Sequence, residues 1–355
     1  MTGTDDAIPH FHARRRLLFG MGALAGLAAC GGGGTLPFAA AVTDRRIAVA
    51  PGVSLHVRDW RGAPGSEDDV IVLLSGLGGN AHAFDSLAPA LARRHRVLAV
   101  TRRGDGSSSK PLPVDGASYA PATLVADLLA VLDALQVRRI ILAGHSIAGN
   151  EVTLFAGRHP GRVRGVVYLD TTFDYNNPLP WRGEPEPDED ELNPPAPAPA
   201  DMASMDASIA YAQRIHKQWW PALDAYWRDT LQVQADGSVR PATPAAIATA
   251  MATGAYAHAP DYRAVRAPAL VIAAQPGSLR DVTPWLTAQS EPRLLAATRT
   301  FLRIYPQAHQ ADFARTVAAL PGSTLLVLDN AAHADFFIEY ETAVVHAIEA
   351  MRWEK

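Results

Sequence analysis

A serine stands among small residues in Gly144-His145-Ser146-Ile147-Ala148-Gly149. It follows the apolar run Ile140–Ala143 and precedes a helix-forming stretch, Glu151 to His159, closed by Pro160-Gly161. A sharp strand-to-helix turn puts its central residue in a strained backbone conformation and projects that side chain outward. Strand and helix pass close together there, so the flanking positions must be small, and Gly144 and Ala148 fill them. A serine hydroxyl is a poor nucleophile at neutral pH and needs a base. Among twelve histidines, His333 is the candidate, because Asp329-Asn330-Ala331-Ala332-His333 comes after the last predicted strand and before the final predicted helix. His145, beside the serine, reads as a packing or pocket-lining residue. An oxyanion also needs backbone donors. Ser75-Gly76-Leu77-Gly78-Gly79 follows a predicted strand and can turn its amides inward, so the N–H groups of Leu77 and Ile147 are the expected pair. That turn has no G-x-G-x-x-G spacing, which makes it a poor dinucleotide site.

These groups need a scaffold that brings distant strand ends together. The segments 46–50 and 53–57 read as a hairpin turning at Pro51-Gly52. Unbroken apolar runs follow at 70–74, 96–100, 140–143, 163–169, 269–273 and 324–328. Continuous rather than alternating apolar character suits strands covered on both faces. Helical periodicity lies between them, over Ala83 to Arg94 and most clearly over Thr123 to Leu135, where Leu124, Leu128, Leu132 and Leu135 share a face. The alternation predicts an α/β fold with a mostly parallel central sheet and helices on both faces.

Residues 171–266 break the alternation. Pro178 to Asp201 is rich in proline and acid and reads as a mobile, solvated loop. Ile209 to Leu231 carries Trp219, Trp220, Tyr226 and Trp227 in a helical context, and Ala245 to Met251 continues as helix. The segment reads as a helical lid over the strand ends, its aromatic residues supplying lid core or pocket wall. The core is then 42–170 together with 267–355.

Four motifs in this order resemble the serine-type α/β-hydrolases: Leu74 to Gly79, Thr101-Arg102-Arg103-Gly104-Asp105-Gly106-Ser107-Ser108, Gly144 to Gly149, and Asn330 to Phe337. That superfamily's first motif usually begins with His, where this chain has Ser75. The resemblance implies a triad acid that orients His333. One family arrangement places it after the strand 269–273, where the first acid is Asp281. The other places it at the end of the strand after the nucleophile's helix, where Asp170 stands. Asp170 is the preferred assignment and Asp281 the alternative, since Asp281 comes late in its loop.

Composition narrows the function further. Hydrophobic residues make up 48% and charged residues 19%, enough apolar material to exclude a mainly disordered chain. The net charge of −4 disfavours wrapping nucleic acid. The single cysteine excludes an intrachain disulfide and Cys-based zinc sites. Arg14-Arg15-Arg16, a thirteen-residue apolar run to Ala29, and Leu27-Ala28-Ala29-Cys30 before four glycines describe an export signal. That run, at about 20 Å as helix, is short for a membrane span. It resembles a bacterial lipoprotein signal with twin-arginine character, with 1–29 removed, Cys30 lipidated and 30–41 a glycine-rich tether to the cell envelope. The expected activity is cleavage of a carboxylic ester or related acyl bond in a small molecule, with no metal or organic cofactor. Peptidase, lactonase, C–C hydrolase and cofactor-free haloperoxidase chemistry use much the same parts, and a noncatalytic binding protein is the other class of reading.

Overall fold

The computed structural model describes residues 40–62, 70–171, 187, 189–320 and 322–353. Its strands are β1 (Val42–Ala50), β2 (Val53–Trp60), β3 (Val70–Leu74), β4 (Arg96–Val100), β5 (Ile140–His145), β6 (Val163–Leu169), β7 (Leu231–Val233), β8 (Val239–Pro241), β9 (Ala269–Gln275) and β10 (Thr324–Asp329). Eight of them form one sheet in the order β1-β2-β4-β3-β5-β6-β9-β10, and β7 and β8 form a small separate hairpin. β1, β2 and β4 pair antiparallel, and every pairing from β4 through β10 is parallel.

The helices are α1 (Leu87–Leu91), α2 (Pro121–Ala134), α3 (Gly149–Arg158), α4 (Glu189–Leu192), α5 (Met205–Ile215), α6 (Ala222–Asp229), α7 (Ala245–Tyr256), α8 (Leu279–Val282), α9 (Pro292–Ala319), α10 (Phe336–Glu339) and α11 (Glu341–Ala350). The apolar strand runs make sense of their placement. Along β5, Ile140 and Leu142 face one core with Leu128, Val131 and Phe155 of α2 and α3. Ile141 and Ala143 face the opposite core with Leu87, Leu91, Val344 and Ile348 of α1 and α11. Two buried faces require apolar residues at every position. β10 departs from that rule: it is the sheet's last strand, and Leu325 and Val327 stand 41% and 39% exposed.

The insertion between β6 and β9 is helical, with α4 to α7 and the β7–β8 hairpin. The predicted continuous helical stretch from Ile209 divides into α5 and α6, with His216 extended at the end of α5 and Pro221 before α6. A proline disfavours helical geometry in the residue before it. Part of the acidic, proline-rich stretch is more ordered than its composition predicts. α4 forms within it, and Leu192 is buried against Phe301 and Tyr305 of α9. A single large apolar side chain gives that segment a packing contact. The rest of that stretch up to residue 186, and Asp188, lie outside the described residues, as does the whole export-signal region. Among the described residues no helix is long and apolar enough to cross a membrane.

Candidate active site

The turn at the end of β5 has the conformation its small residues predict. Ser146 has φ 56°, a left-handed backbone that side-chain-bearing residues rarely adopt. A Cβ on Gly144 would lie 2.6 Å from Cγ2 of Val152 on α3, so the close strand–helix approach depends on glycine there. Ser146 is 1% exposed.

His333 reaches Ser146 from the loop after β10. Its Nε2 lies 3.0 Å from Ser146 Oγ, and its Nδ1 lies 2.5 Å from Asp170 Oδ2. With Nδ1–H donating to the carboxylate, Nε2 is left to accept the serine proton. Asp170 ends β6 with φ 50°, and its Oδ1 accepts the Ala274 N–H at 2.9 Å. Burial opposes its ionised form, but the imidazoles of His309 and His333 and the Ala274 N–H hold its carboxyl below the usual range. Asp281 lies elsewhere. It accepts from Lys217 Nζ at 2.6 Å and from the Ser278 N–H and Oγ at 2.8 Å each, closing a capping box on α8.

Two further histidines support this cluster. His145 Nε2 donates to the His333 carbonyl at 2.8 Å, and the two rings lie 4.8 Å apart. Burial, reinforced by the neighbouring His333, pushes His145 down to about 3, so it stays neutral and fixes the backbone that carries His333. His309 of α9 is fully buried, with Nε2 3.5 Å from Asp170 Oδ1. Its ring packs at a tilt between Tyr305 at 4.6 Å and Phe313 at 4.0 Å. Burial pushes His309 down to about 4.

Arg102 holds the loop after β3. Its guanidinium donates to the Ser75 carbonyl at 2.5 Å and the Gly76 carbonyl at 3.1 Å. It also pairs with Glu151 of α3 at 2.5 Å, out of contact with solvent. Turning the carbonyls of this loop toward Arg102 leaves its amides to face the other way. Among the described turns and loops, no backbone hydrogen bond uses the N–H of Leu77 or Ile147. Ser75 Oγ has no hydrogen-bond partner among the described residues.

A cavity opens onto Ser146 and His333. Leu77, Ala83 and Phe337 give it apolar walls, and His216, Leu223 and Tyr226 close it from the lid. Trp219 and Trp227 pack within the lid, donating to Asp224 at 3.0 Å and Ser208 at 3.1 Å. The lid aromatics thus divide between lid core and pocket wall. Sequence reasoning gave no role to His216, Asp335 or His309. Asp335 stands two residues past His333, and that spacing was its available signal. His216 and His309 carry no local signal, because only chain folding brings them to the site.

Comparison with known proteins bears on the fold that carries these residues. A family model for the alpha/beta hydrolase fold matches residues 69–193. A serine hydrolase-like protein from Danio rerio is 38% identical over 102 residues, covering 28% of this chain and 30% of that protein. A putative carbamate hydrolase from Caulobacter segnis is 31% identical over 119 residues, covering 34% of this chain and 43% of that protein. The matches therefore span less than half the length of these curated relatives. The crystal structure of E-2-(acetamidomethylene)succinate hydrolase superposes with a TM-score of 0.59 at 20% identity, covering 87% of this chain and all of that one (100%). Sheet order, the family match over residues 69–193 and the structural superposition together show that this chain has the α/β-hydrolase fold.

Proposed function

We propose that this protein is a serine hydrolase that cleaves a carboxylic ester or a related acyl bond through an acyl-enzyme. The observation that carries this reading is the linear contact Ser146 Oγ–His333–Asp170, at 3.0 Å and 2.5 Å, opening into the cavity under the lid. His333 takes the proton from Ser146 as Oγ attacks the carbonyl carbon. The carbonyl oxygen becomes an oxyanion and moves between the N–H groups of Leu77 and Ile147. Asp170, already ionised, stabilises the imidazolium and holds its tautomer. His333 then protonates the leaving group, and the ester to Ser146 forms. A water deprotonated by His333 attacks that ester and returns the serine.

Arg102 and Glu151 keep the oxyanion loop in place throughout. Each step uses side chains already positioned in the resting fold, so little reorganisation precedes attack. A fluorophosphonate probe tests the reading: the protein should be labelled covalently, and Ser146→Ala should remove the label. An unlabelled wild-type protein would point instead to a binding protein built on the same fold.

A further inference from the structure

Asp335 opens α10 without capping it: no side-chain bond closes the helix start. The residue is 8% exposed and lines the cavity that holds Ser146 and His333. Its Oδ2 is buried and has no hydrogen-bond partner among the described residues. Burial pushes this carboxyl up, opposed by His216 and His333. A buried acceptor without a donor loses its hydration and gains nothing in return, so such an atom in a cavity wall calls for a donor from outside.

His216 belongs to the same end of the cavity. Its Nδ1 donates to the Ala212 carbonyl at 2.7 Å, which leaves Nε2 as an acceptor in the neutral ring. Perpendicular contacts with Trp219 at 5.5 Å and Trp227 at 6.0 Å hold the ring in place. Tyr226 is close enough to feel the Asp335 charge, and burial keeps its hydroxyl protonated. Among the remaining lining residues Leu77, Leu223 and Phe337 are apolar, and Ser75 adds a hydroxyl that has no hydrogen-bond partner among the described residues. Arg102, the guanidinium nearest in role to this loop, is committed to Glu151 and the oxyanion loop. The cavity is thus a largely apolar chamber in which the Asp335 carboxyl and His216 Nε2 are the acceptors and the hydroxyls of Ser75 and Tyr226 can also donate.

We propose that Asp335 and His216 form a subsite for a hydrogen-bond-donating substituent next to the scissile carbonyl, a protonated amine above all, so that the substrate class is amino-substituted acyl compounds. The aromatic lid composition by itself suggests apolar or aromatic acyl or alcohol groups. The carboxyl in the wall changes that expectation, because an apolar substrate would leave Oδ2, already out of contact with solvent, still without a donor. The proposal rests on the serine-hydrolase reading above.

The test compares β-naphthyl esters of propionate, lactate and alanine, which differ only in carrying hydrogen, hydroxyl or ammonium beside the carbonyl. At about pH 6.5, where the α-amino group is mostly charged, the wild-type protein should give a kcat/KM for the alanine ester about tenfold or more above the propionate ester, with lactate between. Asp335→Asn should reduce the alanine-to-propionate ratio toward one, and Asp335→Leu should invert it. His216→Phe should reduce it in part, which keeps the test independent of any one variant's folding. A wild-type protein that is labelled at Ser146 by fluorophosphonate yet treats the three esters alike would overturn the subsite and leave the hydrolase reading standing. A preference that survives both Asp335 substitutions would overturn it too. Failure of wild-type labelling would remove the hydrolase reading itself.

Discussion

His309 Nε2 and Asp170 Oδ1 lie 3.5 Å apart in a region with no solvent contact, on the side of the carboxylate opposite His333. The carboxylate is thus flanked by two imidazoles, one facing the nucleophile and one rising from the long helix α9. Asp170 Oδ1 also receives the Ala274 N–H, so both oxygens are held before any substrate arrives. This arrangement makes the two sequence-level candidates for the acid separable by experiment.

Asp170→Asn should lower kcat by roughly 10³–10⁴-fold with little change in KM, since it reverses the hydrogen-bond polarity at His333 Nδ1. Asp281→Asn should leave kcat within a few-fold. Its cost should appear in stability, by about 1–2 kcal/mol, because it weakens the α8 capping box and the contact to Lys217 of the lid. Steady-state kinetics and urea unfolding of both variants measure the two effects. Activity lost with Asp281→Asn and kept with Asp170→Asn would reverse the assignment.

His309 should make the fold sensitive to acid. In the folded protein it stays neutral down to about 4, against 6.5 for an unperturbed histidine. Between those values the unfolded chain binds a proton that the folded chain does not. The contribution is therefore complete above about pH 6.5 and is lost as pH falls toward 4. His309→Phe keeps a ring between Tyr305 and Phe313 and removes the titration. The difference in unfolding free energy between wild type and variant should change with pH over this window with a slope of about one proton. A pH-independent difference would show that His309 titrates alike in both states.

Arg102→Met should destabilise the protein by about 3–5 kcal/mol, because Glu151 is left buried without its partner. Burial already pushes the Glu151 carboxyl up against the pull of Arg102. The double substitution Arg102→Met with Glu151→Leu should recover much of that loss. It should not recover kcat, since the Ser75 carbonyl still lacks its donor and the Gly76 carbonyl keeps only the Gly79 N–H. Denaturant unfolding and ester kinetics on the four proteins of the cycle separate structural from positioning loss.

The lipoprotein-like N-terminus leads to an outcome that involves none of the described residues. We propose that Cys30 carries a lipid anchor after export. Cys30→Ser expressed in a bacterial host should then move the protein from the membrane fraction to the soluble envelope fraction. Unchanged fractionation would argue against acylation.

The strands were legible locally because nearly all are covered on both faces, and burial on two sides admits only apolar residues over the whole run. The turn at Ser146 was legible for a similar reason: close passage of β5 against α3 tolerates Gly144 and Ala148 and little else. β10 has the same apolar composition as the inner strands, yet Leu325 and Val327 are exposed, because a strand's place in the sheet is not written in its own residues. The two candidate acids were ambiguous on the same ground. β6 and β9 are parallel neighbours, with Leu169 opposite Ile272, so both strands deliver a carboxylate to the same edge of the sheet. Which one lies against His333 depends on register and on the left-handed turn at Asp170, and these exist only once the strands have paired. The same holds for His216 and Asp335, which meet at one cavity, and for His309, which reaches Asp170: each contact exists only once separate segments pack together. The pattern along the chain determined the scaffold and the nucleophile's perch, since those answer to local burial and backbone sterics. The company those groups keep was decided by long-range packing alone.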